Sequence, residues 1–229
     1  MRSIESRKEE SHVKKRSLNN LVRRYLTLLV GLLIMSFGVA FSIKAGLGTS
    51  PVSSVPYVLS LIVPMTVGET TILINCLLVL LQILLLRRQF ELVQLIQVPV
   101  AIAFGYLTDL AVWVLSPIVP TAYWQQWLFC ILGILLVGIG VSFEVTADVV
   151  TMAGEGVALA LCKTTKLPFA KAKITVDCSL VVIAVVLSFL FLHTLAGVRE
   201  GTIAAALFVG MTAKQVNRPM SRIGNLLLA

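Results

Sequence analysis

The sequence predicts an all-α integral membrane protein: six transmembrane helices plus two re-entrant half-helices, arranged as two inverted-topology repeats. Three observations predict it. The composition is apolar with segregated charge, lipid-length apolar runs alternate with two shorter capped ones, and the chain matches itself at a fixed offset.

Of 229 residues, 58% are hydrophobic and 13% charged, against roughly 45–50% apolar and about 25% charged in soluble domains. Eight of the nineteen basic residues fall in the first 24, among them Lys14, Lys15, Arg16, Arg23 and Arg24. The net charge of +8 does not point to nucleic acid, because no basic face carries interleaved aromatics and the basic residues flank lipid-length segments. A positive-inside bias accounts for them. The basic stretch is too long for a cleavable signal and runs into a full-length span without an A-x-A-like site, so it is expected to be retained. Cys76, Cys130, Cys162 and Cys178 lie in or beside apolar runs and read as small buried hydrophobes, not as a disulfide framework or metal site.

A bilayer core of about 30 Å takes about 20 apolar residues as helix. Spans are expected near 25–43, 71–86, 95–115, 126–143, 174–193 and 201–213, the last a short one. The stretches 51–64 and 149–162 are too short to cross and read as half-helices. Thr49-Ser50-Pro51 offers a hydroxyl cap and a first-turn proline to the first, and Asp148 and Thr151 offer caps to the second. With the amino terminus cytoplasmic and both short stretches re-entrant, Arg87-Arg88, the lysines from Lys163 to Lys173, and Lys214, Arg218 and Arg222 all return to the cytoplasm. Only Lys44 and Arg199 then lie elsewhere. Letting the first short stretch cross puts Arg87-Arg88 outside, so the six-span model with both termini cytoplasmic is favoured.

At an offset of 102 residues, Gly31 meets Gly133, Gly38-Val39 meets Gly140-Val141, Thr49 meets Thr151, Ile72 meets Ile174, and Asn75-Cys76 meets Asp177-Cys178. After a small gap Gly105 meets Gly210. Each half holds span, half-helix, span, span, and three crossings invert the second copy. The domains expected are a basic cytoplasmic tail (1–20), a first repeat (21–115), a second, inverted repeat (122–215) and a cytoplasmic tail (216–229). Inverted repeats with interrupted helices recur in secondary transporters, with the site near the midplane.

The run Ala45-Gly46-Leu47-Gly48-Thr49-Ser50-Pro51 resembles the GLGTSP signature of the bacterial YczE/YyaS/YitT membrane proteins. Gly105-Tyr106-Leu107-Thr108-Asp109-Leu110 is similar to that family's glycine, three residues, aspartate pattern, and Gly201-Thr202 with 204–210 to its last span. The chain departs from the family at Ala147-Asp148-Val149-Val150-Thr151, where the family has a glycine- and proline-rich start to the second half-helix. The resemblance covers about 25–215. It implies a multi-pass protein of the bacterial plasma membrane and supplies no substrate.

Non-helical backbone at membrane depth must be buried in protein or line a wet cavity. Gly46, Gly48, Thr49 and Ser50, with Ser53 and Thr151, are therefore substrate-binding candidates: a half-helix start offers free N–H groups and partial positive charge to an anion. A merely structural, self-capped loop is the alternative. Asn75 is a further candidate, as ligand contact or as glue between helices. Carboxylates at bilayer depth usually face a cavity or partner, which makes Asp177, Glu155, Asp109 and Asp148 coupling candidates, with Glu144 behind them. Asp148 as a helix cap and Glu144 in water at the cytoplasmic edge are the plain alternatives.

Trp113, Tyr123, Trp124 and Trp127 read as an interfacial aromatic belt, Arg199-Glu200 as an interfacial pair, and the tail 1–20 as a partner of anionic inner-leaflet lipid. No cofactor or metal is expected. Neither H-E-x-x-H nor G-x-S-x-G occurs, so an enzyme is not expected. Three functions remain open: a secondary carrier of a small anionic or zwitterionic solute, driven by protons or cations; a solute channel; and a non-transporting regulatory or scaffolding protein.

Overall fold

The computed structural model describes residues 18–227, with side chains from 20 to 217. Most of the basic tail expected over 1–20 lies outside the described residues. Eight α-helices follow one another: α1 (Leu18–Ala45), α2 (Pro51–Ile62), α3 (Val67–Leu86), α4 (Gln97–Val114), α5 (Tyr123–Ala147), α6 (Ala153–Thr165), α7 (Phe169–Leu187) and α8 (Glu200–Leu227). No strand occurs among the described residues. The segments Asn20–Ala45, Val67–Gln89, Leu92–Val114, Tyr123–Ala147 and Phe169–Leu192 are long and apolar enough to cross a membrane, as in a multi-pass membrane protein. The last helix is not among these five; it runs 28 residues, well past the expected span 201–213 and into the expected tail.

The two short helices stand where the sequence places them. At 12 and 13 residues they extend about 18 and 20 Å, short of a bilayer core of about 30 Å. Their starts differ from expectation. Ser50 occupies the N-cap position of α2, with Pro51 beginning the helix, but its side chain does not cap; Ser50 Oγ donates to Ser53 Oγ at 3.1 Å. Asp148 is the left-handed C-cap of α5 (φ 48°, ψ 43°), and Met152 is the N-cap of α6. Neither Asp148 nor Thr151 caps α6, because the chain must first turn out of α5, and aspartate tolerates the left-handed turn better than most residues.

Helix α1 packs on α4 and α5, and α5 on α8; α3 packs on α2, α4 and α6, and α7 on α2 and α6. Glycines set the closest approaches. A Cβ at Gly31 would stand 3.0 Å from Gly140 O, and one at Gly38 2.9 Å from Gly133 O. Residue numbers fall on α5 as they rise on α1, so the two helices cross antiparallel. The first turns of α2 and α6 meet where Val52 lies against Gly154. Gly105 of α4 lies against Ile72 and the Gly68 carbonyl of α3.

The two larger apolar cores bear on the site. One joins α2, α3, α6 and α7 through residues such as Val58, Val79, Val157 and Leu180. The other joins α1, α4 and α5 through Leu32, Met35, Phe104 and Val137. Outward-facing side chains are apolar too, including Leu84, Trp113, Trp124 and Leu190, as a lipid-facing surface requires. The four cysteines are free.

Candidate functional site

Between the two cores lies a cavity of about 260 Å³ to which every helix except α3 contributes. Apolar walls come from α1, α4, α5 and α8. The polar groups come from the short-helix starts and from two neighbouring helices: Ser50 and Ser53 on one side, Glu155, Glu144, Lys173 and Asp177 on the other. Lys173 Nζ donates to Asp177 Oδ1 at 2.9 Å, one helical turn away on α7, and both side chains are mostly covered. Glu144 is 2% exposed and its Oε1 accepts the Met152 N–H at 2.7 Å. That carboxylate sits at the positive end of α6, where an anion is stabilised by the free N–H groups. Glu155, in the first turn of α6, adds a second carboxylate there.

The cavity is therefore asymmetric. The start of α2 presents the Ser50 and Ser53 hydroxyls; the start of α6 is already supplied with carboxylates. Three carboxylates face one ammonium.

Of the residues singled out from sequence, Ser50, Ser53, Glu144, Glu155 and Asp177 line this cavity, and the others lie elsewhere. Gly46 (φ 66°) and Gly48 (φ 96°) shape the connection from α1 to α2, which is bonded to the turn before α8. Arg199 Nη1 donates to Gly46 O at 3.1 Å, Thr49 N–H to Gly197 O at 3.1 Å and Gly201 N–H to Leu47 O at 2.8 Å. The Thr49 hydroxyl is buried with no hydrogen-bond partner. Asn75, 3% exposed on α3, donates to Thr71 O at 2.8 Å, while its Oδ1 has no partner. Asp109 lies at the opposite end of α4 from its start, accepting from the Gly68 N–H at 2.6 Å and the Thr66 hydroxyl at 2.7 Å. It steadies the first turn of α3, beside the capping box of Thr66 and Glu69. Asp148 is exposed and pairs with Arg24 at 3.3 Å. With Thr151 and Glu144 it lines a second, surface pocket of about 330 Å³ between the α5–α6 connection and residues 91–97.

Glu200 pairs with Arg199 at 3.1 Å. Its own backbone N–H at the start of α8, and then Arg199, hold its carboxyl below the usual range.

Sequence reasoning placed Lys173 in a loop and missed its pairing, although the four-residue spacing to Asp177 on a helix was a usable signal. It also missed Gln82 and Gln97, whose amides bond reciprocally at 2.9 and 3.2 Å while Gln82 donates to Ala153 O at 3.1 Å. That pair fastens the start of α6 to α3 and α4.

The protein described as "Uncharacterized protein YyaS" of Bacillus subtilis (strain 168) is 31% identical over 120 residues, which cover 52% of this chain and 58% of that relative. The shared stretch is thus under two thirds of the relative's length. No solved structure matches. The resemblance read from the GLGTSP run is borne out by a model of wider reach: the chain belongs to the family of unknown function DUF6198, which matches it over residues 22–218.

Proposed function

We propose that the chain is a secondary carrier of a small zwitterionic solute, built as two inverted repeats with six spans and cytoplasmic termini in a bacterial plasma membrane. The observation that carries this is the cavity where the two short helices begin, with hydroxyls at one start and Glu144, Glu155, Lys173 and Asp177 about the other. A solute with an anionic group and an ammonium finds a complement at each side. The excess of carboxylates disfavours a purely anionic solute, since like charges in a low-dielectric cavity repel. It also leaves groups able to exchange a proton or cation with the solute.

The repeat reading is supported by the contacts. Gly31 against Gly140 and Gly38 against Gly133 are one contact repeated with the halves exchanged. Antiparallel packing of the two first helices is what inversion produces. The bonded α1–α2 connection closes one end of the bundle, which suits a carrier better than a continuous pore.

Purified protein in proteoliposomes tests the proposal. A zwitterion that raises the melting temperature should be taken up saturably, and Asp177→Asn or Glu155→Gln should abolish gradient-driven uptake while leaving the melting curve near wild type. Uptake with the wild-type dependence on the driving gradient in both variants would overturn the assignment of these carboxylates, and diffusive, non-saturating flux would favour a channel.

A further inference from the structure

The halves differ where their contacts should correspond, and every difference has the same sense. The α1–α2 connection is bonded to 197–201, whereas its counterpart, the α5–α6 connection, makes no backbone bond to residues 91–97 among the described residues and lines a surface pocket with them. Gly105 of α4 is closed on Ile72 and Gly68 of α3. Its counterpart Gly210 on α8 has nothing within 4 Å of an added Cβ; Gly210 and Ile174, the counterpart of Ile72, instead both line the cavity. Thr49 Oγ1 and Asn75 Oδ1 are buried without partners. Their counterparts are served: Thr151 is exposed in the surface pocket, and Asp177 is paired in the cavity.

We propose that these are two gates of one device, and that the chain exchanges the state seen here for one in which their conditions are reversed. In the second state the α5–α6 connection docks on 91–97 and Gly210 closes on Ile174. The α1–α2 connection then leaves 197–201, and α3 parts from α4 at Gly105. Opening the first gate gives Thr49 and Asn75 access to polar partners, so the state seen here holds groups that favour its own exchange. Packed interfaces of this kind switch between discrete arrangements and do not deform continuously. The inference rests on the repeat and the cavity proposed above.

The test is a disulfide across the open gate. In a chain whose four cysteines are replaced by alanine, Ile174→Cys and Gly210→Cys are introduced and the purified protein is oxidised in nanodiscs without any solute. A disulfide needs Cα atoms within about 7 Å, so the bond is expected to accumulate only as the gate closes. Amide exchange at 46–50 and around Gly105 should rise with it. Thiols that react with maleimide yet never pair, or that pair with no change in exchange, would overturn the inference. If the cysteine-free chain does not fold, Gly210→Leu in the native sequence decides. It should melt as wild type and lower exchange at 46–50, because leucine props the gate open; exchange equal to wild type means the gate never closes. A chain whose gates exchange but which carries nothing refutes only the carrier reading. A chain that binds a solute in the cavity over a static gate refutes only this inference.

Discussion

Val52 and Gly154 touch at the junction of α2 and α6, where a Cβ on Gly154 would stand 3.2 Å from Val52 Cγ2, and the two residues are also 102 positions apart in the chain. In the inverted repeat proposed above, residues that are each other's counterparts meet at the axis relating the halves, by the logic of an isologous contact. The glycine contacts of α1 and α5 lie in matching pairs about that axis, and neither the composition nor the hydropathy of the segments requires such pairing.

Glycines that face each other across α1 and α5 should therefore respond alike. Gly38→Ala and Gly133→Ala each press a methyl group against the other helix's carbonyl, at 2.9 and 2.8 Å, and each is expected to cost about 1–3 kcal/mol. The double variant should cost less than the sum, because the first substitution already forces the helices apart. Unfolding in detergent, followed by circular dichroism, measures all three. Full wild-type stability in either single variant would mean the helices do not approach so closely.

The Gln82–Gln97 pair makes a contrasting case. Gln82→Leu leaves the Gln97 amide and the Ala153 carbonyl buried without their partner, at an expected cost of about 2 kcal/mol. Replacing both glutamines by leucine should recover part of that, since an apolar pair leaves fewer groups unsatisfied. A double variant no more stable than Gln82→Leu would place the cost on the Ala153 carbonyl, which lacks its donor in both.

The helical class and the two short helices were legible because apolar run length and proline position act locally, whereas several long helices run past the apolar stretches that mark them. The proposed repeat rests on glycines that recur at fixed spacing. Charge placement was only partly legible. Lys173 read as a loop residue because hydropathy set the start of its span near 174, whereas Phe169 begins the helix and turns the lysine back to Asp177. Asp109 and Asp177 look alike in sequence, each an acid within a span, yet one steadies a helix end and the other lines the cavity. Only the packing of α3 against α4 separates them. Asp148 read as a cap for the helix after it and caps the helix before it, a choice set by where α5 ends.

Topology can be checked apart from function. With the native cysteines replaced, single cysteines at Arg88 and Lys166 should both be protected from an impermeant maleimide in intact cells and label after permeabilisation, while Glu69→Cys labels from outside. This follows from keeping both α2 and α6 re-entrant. External labelling at Arg88 and Lys166 would remove the inversion and with it the shared cavity.

The Lys173–Asp177 pair separates structure from transport. Lys173→Met strips the one ammonium that the described residues give a cavity lined by three carboxylates, and an unpaired, mostly covered Asp177 should cost about 2 kcal/mol. Lys173→Met with Asp177→Leu removes both charges, and a well-packed apolar pair commonly matches or exceeds a buried ion pair in stability. The double variant is therefore expected to regain wild-type melting while failing to bind the solute. If the pair existed only to hold α7 in place, binding would return together with stability. Melting temperature and solute-induced shift, measured on wild type and these two variants, decide between the two roles.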